Sequence, residues 1–477
     1  MGKECKLIKN TIILFLGVIG TKLVNFIMLP FYTSWLSVEE YGIIDIFTVI
    51  VSIGVPLFSL QLDQAVFRFM IDDNDNNKMT KTISSGLGGV AYSLIILNII
   101  CCLYICIFKK TEYSLCLLAV DIQCFYTMVQ QIARGRGQNG IYSINSLTLA
   151  IVNVLLSILF IRYLNLGAIG YIYAFCLSNT IATILLALHI KLPRFFRVSY
   201  VKFAQIKTYL TYSIPLIVNN ISWWILNASD KLILNVFCGI SANGIFAAAG
   251  KIPGMITAFY TVFHMAWQES ASREQTGDLQ QFYSNVFRKL FAFLSYSLIF
   301  LLCSLRLSFK LLIDGKFEES YNHIPILLVA LFFYCIAQYY GGLFIGAKKT
   351  KSLGISSSIA AAINLIVDIG LVRQVSIYAA SISTLVAYFA LMVIRFFQTR
   401  HDYVIKYRYF ELSCCLLMIS VSIIAAYFLP VYLSLVGLVV ITFVYGFLYK
   451  DILKDLLCLF QTKLREFIKM RTEDDSN

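Results

Sequence analysis

The sequence predicts an all-α integral membrane protein with about fourteen transmembrane helices, and three observations predict it. The 477 residues are 59% hydrophobic and only 14% charged, whereas a soluble domain runs about 45–50% apolar and about 25% charged. A water-soluble fold cannot hide that excess, because exposed apolar patches above a few hundred Å² are rare. The apolar residues come in long unbroken runs such as 87–107 and 412–429. Those runs suit helices of about 20 residues rather than the roughly ten-residue alternating strands of a barrel. The lysines and arginines, finally, collect in alternate connections. A soluble enzyme, a secreted disulfide scaffold and a disordered regulator are excluded.

The first run, 11–34, is interrupted by Lys22 and followed by no small-residue cleavage site, so it reads as a retained helix rather than a signal peptide. Further runs place spans near 43–66, 83–107, 113–133, 142–161 and 167–190. A second set lies near 209–229, 242–266, 287–305, 323–345, 353–372 and 377–398, and two more near 410–428 and 431–449. Between 306 and 322, Arg306, Lys310 and Lys316 leave room for a short surface helix. The acidic-polar run 72–77 reads as a solvated loop, and the basic tail 450–471 as a segment lying on anionic lipid.

With the amino terminus in the cytoplasm, inside connections hold about 29 of the lysines and arginines and outside ones about 8. The bias fixes both termini in the cytoplasm. It also accounts for the net charge of +13 as topology, so no nucleic-acid partner is expected. The 13 cysteines sit largely inside apolar runs, including Cys101, Cys102, Cys414 and Cys415, with no C-x-x-C. Four scattered histidines form no metal motif, and no metal or other cofactor is expected.

A weak internal repeat divides the chain. Tyr41-Gly42-Ile43 matches Asn243-Gly244-Ile245 about 202 residues later, and Gly135, Asn153 and Arg162 match Gly346, Asn364 and Arg373 about 211 residues later. Six spans per repeat give two parallel, pseudo-symmetric lobes related by an axis along the membrane normal. The expected divisions are a lobe over 1–200, a lobe over 201–400, an extra helix pair over 401–450 and a basic tail over 451–477. Pro30 and Pro56 interrupt the first two helices of one half, Pro215 and Pro253 those of the other. Interrupted helices at corresponding places point to a transport pathway.

No catalytic constellation is present. The stretch from Gly341 to Lys348 lacks the phosphate-loop spacing and follows a span rather than a strand, so the energy must come from an ion gradient, the membrane potential or the substrate's own gradient. Ionisable residues inside a membrane cost roughly 2.5–3.5 kcal/mol each at the helix centre, which makes each one a functional candidate. Lys22 and Lys251 are too deep to snorkel easily and read as cavity cations able to clamp a phosphate. Asp45, Arg68, Asp230 and Lys231 read equally as interfacial anchors, and Asp121 and Asp368 as interhelical ion pairs. In the seventh span Asn219, Asn220, Trp223 and Asn227 suit either helix–helix hydrogen bonding or a sugar-contacting wall.

The string Tyr32-Thr33-Ser34-Trp35-Leu36-Ser37-Val38-Glu39-Glu40-Tyr41-Gly42 resembles the first connection of Wzx-type polysaccharide-unit flippases. Asp63-Gln64-Ala65-Val66-Phe67-Arg68-Phe69, Asp230-Lys231, Gly244-Ile245-Phe246 with Lys251, and Ala266-Trp267-Gln268 resemble the same family, in order, over about residues 8–450. That family belongs to the multidrug/oligosaccharidyl-lipid/polysaccharide exporter superfamily. The resemblance implies two six-helix lobes around a central cavity plus a C-terminal helix pair. It also implies, with no enzymatic activity, translocation of undecaprenyl-pyrophosphate-linked oligosaccharide repeat units from the cytoplasmic to the outer leaflet of a bacterial inner membrane. Where relatives carry arginines this chain has lysines, which bind phosphate as point charges without a bidentate fork.

On this reading Lys22, Lys251, Arg68 and Lys231 attract the pyrophosphate, and Asn219, Asn220, Trp223 and Asn227 face the sugar. Asp45, Asp121, Asp368 and Asp230 are the candidates to bind a coupling proton or sodium ion. The partners implied are the polyprenyl-pyrophosphate-linked oligosaccharide, a glycan polymerase and a chain-length regulator, and anionic lipids. Two alternatives stay open: a multidrug or cation antiporter of the same superfamily, and a membrane-embedded glycan polymerase, which the short outer loops oppose.

Overall fold

A computed structural model describes residues 20–452 and 454, apart from 22, 25, 73–74, 109–112, 274–278, 347–349 and 401–403. Among the described residues there is no strand, and eleven helices are long and apolar enough to cross a membrane. These eleven overlie eleven of the fourteen expected spans. Of the other three, 11–34 lies outside the described residues only at 11–19, 22 and 25 and is helical over most of the rest, 209–229 falls in one long helix, and 242–266 is helical but kinked. The chain is a multi-pass membrane protein.

Helix α1 (Leu29–Trp35) carries Pro30 in its first turn, where a missing N–H costs nothing. Ser37 starts α2 (Val38–Phe58) with a capping box: Glu40 N donates to Ser37 Oγ at 3.1 Å and Ser37 N to Glu40 Oε2 at 2.8 Å. The run 43–66 is not one helix. It breaks after Phe58 and resumes as α3 (Leu62–Asp72), with Leu60 and Gln61 at φ 50° and 53°. Pro56 removes an N–H from the last turn of α2. Ser93 Oγ, on α4 (Asn76–Phe108), then donates to the Phe58 carbonyl at 2.7 Å, so the broken end is satisfied across helices.

Next come α5 (Tyr113–Gly135), α6 (Asn139–Ser157) with a π-helical turn at Ile158–Tyr163, and α7 (Gly167–His189). A linker of two 3₁₀ turns is pinned to α4 by Arg197 N donating to Ser84 Oγ (2.9 Å) and Ser85 Oγ donating to Tyr200 O (2.8 Å). It leads into α8 (Phe203–Cys238), which is helical throughout despite Pro215. Helices α9 (Ile240–Ala249) and α10 (Lys251–Arg273) meet at Gly250; Pro253 has no N–H for the Ala249 carbonyl, which fixes the kink there. The remaining helices are α11 (Leu279–Leu312), α12 (Ile324–Gly346), α13 (Thr350–Val375), α14 (Ile377–Thr399), α15 (Tyr409–Phe428) and α16 (Val431–Leu448).

The chain separates into two compact units. The first comprises Met1–Val262, Ile313–His323 and Ser358–Thr384. Its core joins Phe47 and Val51 of α2, Leu62 and Val66 of α3, Met128 of α5 and Ile172 and Leu186 of α7. Lipid is as apolar as these side chains, so close packing rather than dehydration holds such helices together, and small residues let backbones approach. Gly42 and Gly244 do this reciprocally. A Cβ on Gly42 would lie 2.2 Å from Ile240 O, and a Cβ on Gly244 would lie 2.2 Å from Val38 O. Asn153 Nδ2 donates to Ser178 Oγ (3.2 Å) and Asn364 Nδ2 to Ser383 Oγ (3.4 Å). The matched positions of the two sequence repeats thus make matched contacts.

The stretch 306–322 is not a surface helix. Helix α11 continues through Arg306 and Lys310 to Leu312, and the 3₁₀ segment Gly315–His323 packs into the first unit. Phe317, Ser320 and His323 are fully buried. Lys316 Nζ donates to the carbonyls of Ser34 (2.8 Å) and Leu36 (3.3 Å), which closes the carboxyl end of α1.

The second unit comprises Phe263–Leu312, Ile324–Ser357 and Leu385–Asn477. Trp267 stacks on Tyr339, with ring centroids 4.8 Å apart, and its indole N–H donates to the Tyr339 carbonyl at 2.9 Å. Arg395 lies within α14 and is fully buried. It donates to Gln338 Oε1 (2.8 Å), the Ala337 carbonyl (3.0 Å), Ser357 Oγ (3.0 Å) and Ser356 Oγ (3.1 Å). Arg288 of α11 holds Glu411 of α15 through two bonds of 2.7 Å and Asp451, just past α16, at 2.5 Å, so the C-terminal helix pair is clasped to α11.

Candidate functional site: a lysine-bearing cavity and a buried carboxylate cluster

Within the first unit, α1, α2, α7 and the start of α10 enclose a cavity of about 460 Å³. Its wall carries Tyr32, Tyr41, Asp45, Thr48, Tyr171 and Lys251, together with apolar groups such as Phe26, Leu29 and Met255. Lys251 is placed at the kink between α9 and α10, exposed, with Nζ 5.8 Å from the centre of the Tyr41 ring. Tyr32 and Tyr171 meet edge to face at 5.8 Å. Three phenols and an ammonium suit a ligand with hydroxyls and a negative charge.

Asp45 is 6% exposed and already committed. Lys231 Nζ, from α8, donates to its Oδ1 at 2.8 Å, and Asn243 Nδ2, from α9, to its Oδ2 at 3.3 Å. Asn243 Nδ2 also reaches the Gly42 carbonyl at 3.3 Å. Two residues that the sequence offered separately, Asp45 for an ion and Lys231 for a phosphate, therefore form one ion pair. Among the described residues, that pairing leaves Lys251 as the uncommitted charge on the cavity wall.

A second polar centre lies deeper in the same unit. Asp230 and Asp368 are 6% and 0% exposed. Thr384 Oγ1 donates to Asp230 Oδ2 at 2.8 Å, while Asp230 Oδ1 and both Asp368 oxygens have no hydrogen-bond partner. The two carboxyls act electrostatically on each other, and Asn364 borders Asp230. Ser229 Oγ donates to Asn364 Oδ1 at 3.4 Å. Two buried like charges with orphaned oxygens call for a proton or a cation. The donors are carboxylate, amide and hydroxyl oxygens, which suit a proton or a hard monovalent ion rather than a thiolate- or imidazole-seeking metal. Among the described residues no group of three or more His, Cys, Asp or Glu forms a metal cluster.

The other sequence candidates are distributed as follows. Asn220 Nδ2 donates to Gln61 Oε1 at 3.2 Å, beside the break between α2 and α3. Arg68 is exposed on α3. Asp121 of α5 accepts from Asn98 Nδ2 at 2.9 Å. Lys22, and the side chains of Asn219, Trp223 and Asn227, lie outside the described residues. Thr384 and Tyr171 were not singled out from sequence; Asn243 was noted only as a repeat position, Tyr41 as a repeat position and within the string that resembles the flippase family, and Tyr32 only within that string. Asn364 was noted only as a repeat position, although a polar residue facing an intramembrane carboxylate is a signal in itself.

The family described as polysaccharide biosynthesis protein matches residues 7–268. No curated protein sequence matches the chain. Among solved structures, the lipid II flippase MurJ in an inward closed conformation is 14% identical, with a TM-score of 0.73 over 94% of this chain and 100% of that one. An inward-facing multidrug resistance MATE family transporter of the MOP superfamily is 14% identical, with a TM-score of 0.61 over 81% of this chain and 94% of that one. A MOP superfamily transporter from Pyrococcus furiosus is 15% identical, with a TM-score of 0.55 over 83% of this chain and 95% of that one. At such identities the likeness is one of fold: this is the helical architecture of transporters and flippases. By the match over more than half of its length, the chain belongs to the polysaccharide biosynthesis protein family.

Proposed function

We propose that the protein flips polyprenyl-pyrophosphate-linked oligosaccharide repeat units from the cytoplasmic to the outer leaflet of a bacterial inner membrane. It does so by ion-coupled alternating access and supplies surface polysaccharide synthesis. The observation that carries the reading is the pairing, in one unit, of a cavity whose wall carries the Lys251 ammonium with a buried Asp230–Asp368 cluster in which Asp230 Oδ1 and both Asp368 oxygens have no hydrogen-bond partner. The ammonium attracts the pyrophosphate as a point charge, with Lys22 as its counterpart from the other repeat and Arg68 as an auxiliary cation. The tyrosines and the amides of α8 face the sugar. A proton or sodium ion enters the carboxylate cluster, and each charge moved through 100 mV supplies about 2.3 kcal/mol to bias two conformations. Membership of a polysaccharide biosynthesis family and the MurJ-like fold support this reading.

Both termini lie in the cytoplasm on this proposal, and a glycan polymerase and a chain-length regulator take up the product. The cation-exporter alternative is disfavoured because the cavity carboxylate, Asp45, is already neutralised by Lys231. The test is the lipid pool and surface glycan of a strain lacking the protein. Single lipid-linked repeat units accumulating on the cytoplasmic leaflet, with surface glycan lost, are expected. The same units on the outer leaflet would indicate a polymerase, and an unchanged pool with new drug sensitivity an exporter.

A further inference from the structure

Helices α4 and α5 bring one carboxyl against one amide at depth. Asn98 Nδ2 donates to Asp121 Oδ2 at 2.9 Å, while Asp121 Oδ1 and Asn98 Oδ1 are buried and have no partner. Asp121 lies about eight residues into α5, roughly 12 Å along its axis, and Asn98 about ten residues before the end of α4, roughly 15 Å. Both therefore sit near the middle of a hydrocarbon layer about 30 Å thick, within helices apolar enough to span it. An ionised carboxylate is costly there unless a cation offsets it. Among the described residues no lysine, arginine or histidine pairs with Asp121. The titratable groups near enough to feel Asp121 are the thiols of Cys101 on α4 and Cys124 on α5, and Asp63 of α3 also acts on Cys124. The Cys124 thiol is spent on the Val55 carbonyl, at 3.7 Å.

One proton resolves both orphaned oxygens. Carried on Asp121 Oδ1 and donated to Asn98 Oδ1, it closes a two-bond ring, amide N–H to Oδ2 and acid O–H to the amide oxygen. We propose that Asp121 binds a proton at neutral pH as one half of this acid–amide ring, a proton site separate from the Asp230–Asp368 cluster. The proton is then the second bond between α4 and α5. When it leaves, two acceptor oxygens oppose each other and the bare carboxylate requires water, so the helix pair must loosen. The site is a proton-operated latch, whether or not the substrate is a lipid-linked glycan.

The test is infrared difference spectroscopy of the full chain reconstituted in liposomes at neutral pH, wild type minus Asp121→Asn. A carbonyl-stretch band of a protonated carboxylic acid is expected, lost in Asp121→Asn and shifted to higher frequency in Asn98→Leu, where its hydrogen-bond acceptor is gone. Bands of an ionised carboxylate in that difference, or no carboxyl band, would overturn the proposal. Thermal unfolding adds a readout of the latch. Asp121→Asn, whose amide N–H replaces the acid O–H, should melt with the wild type, whereas Asp121→Leu should melt lower. If the two variants melt together well below the wild type, the neutral ring is wrong.

Discussion

Lys231 and Asp45 lie 186 positions apart in sequence and 2.8 Å apart in the protein. Sequence alone flagged each as an intramembrane charge but could not pair them, because charge periodicity reads neighbours along one helix and not partners on another. Losing a hydrogen bond to a charged group costs about 2 kcal/mol, so Lys231→Met should lower stability by that amount. Asp45→Asn combined with Lys231→Met should recover part of it, because the single variant strands a buried carboxylate. Thermal or denaturant unfolding of the three variants in one detergent checks this; equal losses for the single and double variants would contradict it. At Asp368 the sign reverses. Both oxygens are orphaned beside Asp230, so Asp368→Asn should leave stability unchanged or raise it. A ligand held only by the folded state adds about 2.7 kcal/mol at 100 times its Kd. The wild type should therefore melt higher as sodium or proton concentration rises, and Asp368→Asn should show a flat response. A wild type indifferent to both ions would remove the cluster from the coupling scheme. Outside the membrane, the Arg288 guanidinium holds the Asp451 carboxyl down to about 2, below its ordinary value of about 3.9. The folded state thus favours the charged form, so this contribution is complete above pH about 4 and lost as pH falls through about 2. Melting curves of wild type and Asp451→Asn should converge across that window.

At the scale of elements, apolar run length located the spans because it reports what lipid demands of each helix by itself. It missed the break at Ser59–Gln61, which no glycine announces and which tertiary bonds from Ser93 sustain. It missed the docking of Gly315–His323 for the same reason: Phe317 against Tyr41, at 5.2 Å, is a contact between distant parts of the chain. The close crossing of α2 and α9 was half legible, since the matched glycines were visible as a repeat but not as partners. A Cβ at Gly42 or Gly244 would meet a backbone carbonyl at 2.2 Å, and backbone cannot swing aside. Gly42→Ala and Gly244→Ala should each cost about 1–3 kcal/mol, and Gly42→Val more. Gly354, whose Cβ would meet nothing within 4 Å, provides the control, and Gly354→Ala should be neutral or mildly stabilising in a helix. Equal melting of the Gly42 and Gly354 variants would refute the close crossing.

At the scale of the molecule, membership of a polysaccharide biosynthesis family and the transporter fold agree with a reading begun from hydropathy and charge. If Lys251 is the cavity's working cation, Lys251→Ala should insert normally yet lose most surface glycan, and Lys251→Arg should keep a large share. Full glycan from correctly inserted Lys251→Ala would end the phosphate-clamp proposal. The first unit is discontinuous: its last stretch, Ser358–Thr384, is synthesised after Phe263–Leu312 and Ile324–Ser357 have been made for the other unit. Asp230 leaves the ribosome 154 residues before Thr384, the hydroxyl that bonds it, and Ser229 precedes its partner Asn364 by 135. During biogenesis the early helices must therefore wait in the bilayer with a buried acid unsatisfied. Nascent chains arrested before residue 384 are the form in which a membrane protease or insertion chaperone has the most to grasp.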